Sequence, residues 1–201
     1  IKWFDVPTCF IFHIMNSFDQ GDEVVLDAAR YDHLWVKNSS DFFHPARLSR
    51  FSMNMKTGKT SVTQLHDQPM EFPIVNRQRW TQQYRYGYSL LVDAENDSPE
   101  LIHKAEGGIR KYDMQTGETE SWRPGLRFEP GETFFVPATE SNGVEDEGYL
   151  LSYVYDKHTE TTALCVFDAT DITAGPIGKV QLPVRVPVGF HGLWVPDSVI
   201  S

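Results

Sequence analysis

The chain has 201 residues, 40% hydrophobic and 13% aromatic, enough for one large packed domain or at most two small ones and too apolar for a disordered chain. Eighteen Lys and Arg against 28 Asp and Glu leave a formal net charge of -10, which repels phosphate backbones and anionic lipid. The densest basic cluster, Arg77, Arg79 and Arg85, is broken by aromatic and amide residues, so no nucleic-acid partner is expected.

In chain order, Ile1-Lys2-Trp3-Phe4 has none of the features of a signal peptide. A start without Met, inside strand-like sequence, predicts that residue 1 is not the natural beginning of the protein. Alternating apolar patterns then predict strands over 9–14, 23–31, 46–54, 84–92, 108–114, 133–138, 149–156, 163–169 and 179–186. Helical periodicity is scarce, and 14 Gly with 12 Pro punctuate the chain at short intervals. The fold class is therefore all-β. Cys9 and Cys165 sit in apolar stretches as small core residues and form no disulfide framework, which points to a reducing, cytoplasmic setting. No apolar run approaches the ~18 residues of a spanning helix.

A repeat sharpens the fold class. Asn54-Met55-Lys56-Thr57-Gly58 matches Asp113-Met114-Gln115-Thr116-Gly117 at an offset of 59, each between two strands, with Gly at the positive-φ position of a tight hairpin. A third, degenerate copy runs from Asp168 to Gly175. Hairpins recurring at blade-sized intervals suggest a β-propeller, and at ~40 to 50 residues per blade the chain would hold about three and a half to four blades.

Of seven histidines, His33, His44, His66, His103 and His158 lie in polar or turn-like contexts and need no function. His13, in "CFIFHIMNSF", and His191, in "VPVGFHGLWVP", are set among apolar residues, where an imidazole needs partners for both nitrogens. On spacing alone each reads more readily as a satisfied core histidine than as a metal ligand, and their separation matches no compact zinc pattern. Glu71, in "QPMEFPIVN", and Glu145, in "EDEGYLLSYVYD", are carboxylates beside apolar strands. Each could accept the remaining N–H of a metal-bound histidine. The alternatives are a salt bridge from Glu71 to Arg77 or Arg79 and a capped turn at Glu145. Signatures of serine hydrolases, zincins, P-loops and CxxC redox sites do not occur, and the acidic stretch from Glu140 to Glu147 lacks the spacing of an EF-hand.

Four segments, in order and spanning nearly the whole chain, together resemble the carotenoid cleavage oxygenases, a family that includes bacterial lignostilbene dioxygenases and the retinoid isomerase of the eye. "WFDVPTCFIFHIMNSFDQGDEVVLDAARY" is similar to the segment around the family's third iron-binding histidine, with Asn16-Ser17 where Asn-Ala is common. "QLHDQPMEFPIVNRQ" and "ESNGVEDEGYLLSYVYD" resemble segments carrying glutamates that orient the ligands, with Glu147 where Asp is frequent. "LPVRVPVGFHGLWVP" resembles the segment of the fourth histidine. The resemblance implies a seven-bladed β-propeller with one Fe(II) on its axis and oxidative cleavage, by O2, of a double bond in an apolar polyene or stilbene.

It further implies His13 and His191 as iron ligands, Glu71 and Glu145 as their orienting carboxylates, and peripheral membrane contact as the route by which apolar substrates arrive. The first two histidine segments of the family do not occur here. Two histidines do not hold such an iron, so residues 1–201 are expected to be the C-terminal part of a single propeller domain, about half of it, inactive alone. A non-enzymatic propeller serving as an interaction platform and an isomerohydrolase of the same family are the alternative readings.

Overall fold

The structure, a computed structural model, describes residues 1–33, 45–92, 106–139, 143–187 and 189–200. His44, His103 and Glu140 lie outside them. The described residues are all-β, in three four-stranded antiparallel sheets. The first contains β1 (Phe10–Gln20), β2 (Glu23–Tyr31), β3 (Arg47–Asn54) and β4 (Thr60–Gln64). The second contains β5 (Met70–Val75), β6 (Tyr86–Leu91), β7 (Gly108–Asp113) and β8 (Thr119–Trp122). The third contains β9 (Phe128–Pro137), β10 (Gly148–Asp156), β11 (Thr161–Asp168) and β12 (Pro176–Gln181). Strands pair in chain order within each sheet, which is the blade of a propeller. The described residues hold three blades, not the three and a half to four expected from length. The blades run longer than that period, and residues lie outside them as well: Ile1 to Cys9 precede the first strand, so the chain does not open in a strand, and β12 ends at Gln181, short of the expected 186. Pro183 and Pro187, which offer no N–H to a ladder, follow it. A single helical turn, α1 (Asp197–Ile200), closes the described chain.

The repeated pentapeptides are the β3–β4 and β7–β8 turns. Asn54 Oδ1 accepts the Lys56 and Thr57 amides as Asp113 Oδ1 accepts those of Gln115 and Thr116, and Gly58 and Gly117 stand at φ 77° and 78°. The Asp168–Gly175 segment joins β11 to β12, with Gly175 at φ 80°.

Blades pack face to face through two apolar clusters. Met15, Ala29, Tyr31 and Leu48 of the first blade meet Met70, Val75 and Tyr112 of the second. Tyr88, Leu90 and Ile109 of the second meet Phe135, Leu150, Val154, Cys165 and Phe167 of the third. Polar contacts join neighbours as well: the Tyr84 hydroxyl donates to Asp27 of the first blade, a carboxylate that Arg50 of the same blade grips through two hydrogen bonds, and Lys111 reaches Asp146 at 2.6 Å. Arg79 and Arg85 are paired with Glu145 and Asp113, so two of the three residues of the basic cluster seen in the sequence are neutralised, and Arg77 lies over the Trp80 ring.

The first strand of each blade is the one that lies next to its neighbours' first strands, β5 against both β1 and β9. Each carries a register shift: β1 around Ile11 to Asn16, β5 between Glu71 and Ile74, and β9 opposite Ser152 to Val154, where Gly131 and Glu132 fall. Bulges re-aim side chains and favour active sites. Here they occur at the same place in three successive blades.

Candidate functional site

The three bulges converge on His13, Glu71 and Glu132, and the extended segment after β12 brings His191 to them. On β1, His13 directs Nδ1 at Glu71 Oε2, 2.5 Å away on β5. Glu71 is held in turn: Oε2 also accepts the Phe72 amide at 2.7 Å, and Oε1 accepts the Tyr31 hydroxyl at 2.5 Å. Burial, and then the negative charge of Glu71, push the Tyr31 phenol well above the usual range, so it remains a donor. Phe72 adopts φ 50°, a left-handed conformation that costs a bulky residue about 1–3 kcal/mol and persists only where its surroundings enforce it. The outcome is a ring stacked on His13 at 4.7 Å and set edge-on to His191 at 5.9 Å.

His191 is positioned differently. Its Nδ1 meets Glu132 Oε1 at 2.9 Å, and Glu132 Oε2 accepts the amide of Gly192 at 2.9 Å, so one carboxylate clasps both side chain and backbone of the segment. Gly192 crosses the Phe134 ring so closely that a Cβ there would lie 2.4 Å from Cζ. The stretch is not a buried strand end: 60% of the His191 side chain is exposed, against 21% for His13, and Phe190, Leu193 and Trp194 are exposed too. Burial therefore does not argue for function at His191. Geometry does.

A carboxylate only accepts, so each Nδ1 donates, and in the neutral imidazole that leaves the lone pair on Nε2. The two Nε2 atoms face each other at 3.3 Å. Two lone pairs at that distance repel unless a cation joins them, and neutral imidazoles backed by carboxylates are the donors that suit a divalent transition metal such as iron. The residues present thus fit a metal, to which they would supply two ligands. Among the described residues no group of three or more His, Cys, Asp or Glu is gathered as a metal site.

The structure brings together His13, Glu71 and His191 but leaves Glu145 elsewhere. Glu145 Oε1 accepts the amides of Arg85 and Tyr86 at 2.7 Å, and Oε2 pairs with Arg79 at 3.4 Å. It pins the turn before β10 to the second blade. That leaves the role expected of it at the other histidine to Glu132, which sequence reading missed. The Glu71 alternative, a salt bridge to Arg77 or Arg79, is not formed: the carboxylate is taken by His13, Tyr31 and Phe72. Of the other histidines, His66 lies against Arg110, where burial and the guanidinium charge push its imidazole down, and His33 and His158 are exposed.

Two cavities meet at His191, Glu132, Phe134 and Gly192. One, of about 570 Å³, runs along β9 between largely apolar walls that include Phe72, Leu90, Phe128 and Phe190. The other, about 270 Å³, is lined by β1, β5 and β9 on the side of Ile14, Ile74 and Thr133. No helix among the described residues is long and apolar enough to cross a membrane.

Known proteins resemble the chain throughout. The profile described as "Retinal pigment epithelial membrane protein" matches residues 1–196. A carotenoid 9,10(9',10')-cleavage dioxygenase of Crocus sativus is 33% identical over 214 residues, covering 100% of this chain and 39% of that protein. Lignostilbene-alpha,beta-dioxygenase isozyme III of Sphingomonas paucimobilis is 30% identical over 98% of this chain and 44% of its own length. The crystal structure of cobalt-substituted Synechocystis ACO superimposes with a TM-score of 0.85 at 27% identity, covering 96% of this chain and 41% of that one. The chain thus spans about two fifths of the length of the relatives it matches.

Proposed function

Because the chain belongs to the retinal pigment epithelial membrane protein family, we propose that it forms part of an iron-dependent dioxygenase that cleaves a conjugated carbon–carbon double bond with O2, giving two carbonyl products. One observation carries the reading: two imidazoles, each with a carboxylate behind Nδ1, present their Nε2 atoms to one point 3.3 Å wide. His13 and His191 would hold the iron, with further ligands from outside residues 1–201, and Glu71 and Glu132 fix the tautomer in which Nε2 is free to bind. The iron would supply the site at which O2 is activated. The chain's own residues hold the ligands, and Phe72 and the apolar cavity beside His191 would offer an apolar substrate a wall to lie against.

The relatives' names support carotenoids and stilbenes as substrate classes. Three blades in a chain that covers 41% of a structural relative agree with a ring of seven. An interaction platform has no use for two facing imidazole lone pairs. The test is product analysis on the intact, Fe(II)-loaded protein supplied with carotenoid, stilbene and retinyl ester substrates. Two carbonyl fragments from one double bond, with O2 consumed, are expected. An isomerised alcohol from the ester, or no turnover of any of them by iron-replete protein, would overturn the reading.

A further inference from the structure

We propose that Tyr31 is a positioning residue of the metal site, locking the plane of the Glu71 carboxylate and through it the ring of His13. The inference rests on the metal-site reading above and extends it to a residue on a different strand. A glutamate's terminal torsion is soft, so one hydrogen bond leaves the carboxylate free to swing. Both donors at Oε2, the His13 ring and the Phe72 amide, lie on the same side of the group. Tyr31 supplies the one contact at Oε1, and with it the carboxylate is fixed at both ends. The anchor is rigid: Tyr31 is the last residue of β2, is 6% exposed, packs among Met15, Leu48, Met70 and Val75, and sets its ring edge-on to Phe12 at 5.5 Å. Among the described residues Glu132 has no such third donor; its two oxygens are spent on His191 and Gly192. Tyr31 thus belongs to the β1 half of the site alone.

Tyr112 provides a matched control. It is 3% exposed, lies in the same apolar cluster, and its hydroxyl shares a 3.0 Å hydrogen bond with Ser89 rather than with the site. The experiment is a Co(II) titration of the intact protein, followed by the visible absorption of the bound ion, on wild type, Tyr31→Phe and Tyr112→Phe. Tyr31→Phe should weaken Co(II) binding by about 10- to 100-fold, the usual cost of losing an outer-shell partner, and alter the absorption bands, while Tyr112→Phe changes neither. In a Glu71→Ala background, Tyr31→Phe should have no further effect, because the hydroxyl then has no carboxylate to hold. Unchanged affinity in Tyr31→Phe, an equal loss in Tyr112→Phe, or an additive loss on Glu71→Ala would overturn the assignment. Failure of the wild type to bind Co(II) would instead sink the metal-site reading, and the role of Tyr31 with it.

Discussion

The two halves of the site solve the same problem with different material. His13 comes from a strand, is mostly covered, and leans on a carboxylate gripped by three donors, one of them a buried tyrosine. His191 comes from an irregular segment between prolines, is mostly exposed, and depends on a carboxylate that holds the segment by two hydrogen bonds. The first half is organised by the fold. The second is organised by Glu132, so the segment's placement and the histidine's tautomer share one support.

The largest effect should follow loss of either histidine. His13→Ala and His191→Ala are each expected to strip iron from the intact protein, a loss beyond the about 10- to 100-fold of outer-shell changes, read as iron content after dialysis. An iron-replete His191→Ala protein would leave the comparison with only one half.

Next come the carboxylates, where the difference between the halves becomes a difference in sign of compensation. In Glu71→Gln the amide oxygen can face His13 and Phe72 while its NH2 turns to Tyr31, whose hydroxyl can accept. In Glu132→Gln the NH2 must face a donor on either side, and facing His191 it drives the ring to the tautomer with the proton on Nε2. Metal affinity should fall about 100-fold for Glu132→Gln and about 10-fold for Glu71→Gln, the two ends of the outer-shell range. The reverse order would show that the β1 half is the more dependent on its carboxylate.

Gly192→Ala should act more gently. Its Cβ forces the Phe134 ring aside at about 1–2 kcal/mol, close to a tenfold loss of metal affinity. Phe134→Leu in the same chain should recover most of it; no recovery would mean that the clash is not what matters. Smallest is a change in amide exchange. On metal binding the Gly192 amide should gain more protection than the Phe72 amide, because the latter already sits in a braced strand. Equal gains would remove the claimed asymmetry.

Much of this was legible in the sequence, and the omissions have physical causes. Eight of the nine strands seen as alternating patterns have a buried face, and β12, seen from its apolar alternation, has none. β4 (Thr60–Gln64) and β8 (Thr119–Trp122) were not seen because they are outer strands of mostly polar, half-solvated residues. β5 was hidden by Pro73, which a bulge accommodates. Pro130-Gly131 made the third blade's inner strand look as though it began at Thr133, and so concealed Glu132 one residue earlier. A Glu two residues from a Pro within an inner strand is the shared mark of Glu71 and Glu132, but it becomes visible only once the blades are aligned. Glu145 misled because its position just before a hydrophobic strand says nothing about which neighbour its turn faces. The exposure of His191 was equally unreadable, since glycine-flanked apolar residues look alike in a buried strand and in an extended segment on the surface.

The claim that most needs testing is that His13 and His191 bind one ion through Nε2. A crystal structure of the intact protein loaded with Co(II), with the ion located by anomalous scattering, tests it directly. The account predicts a single ion at about 2.1 Å from both Nε2 atoms, with Glu71 and Glu132 on the two Nδ1 atoms. An ion bound through Nδ1, or one that leaves either histidine uncoordinated, would contradict it.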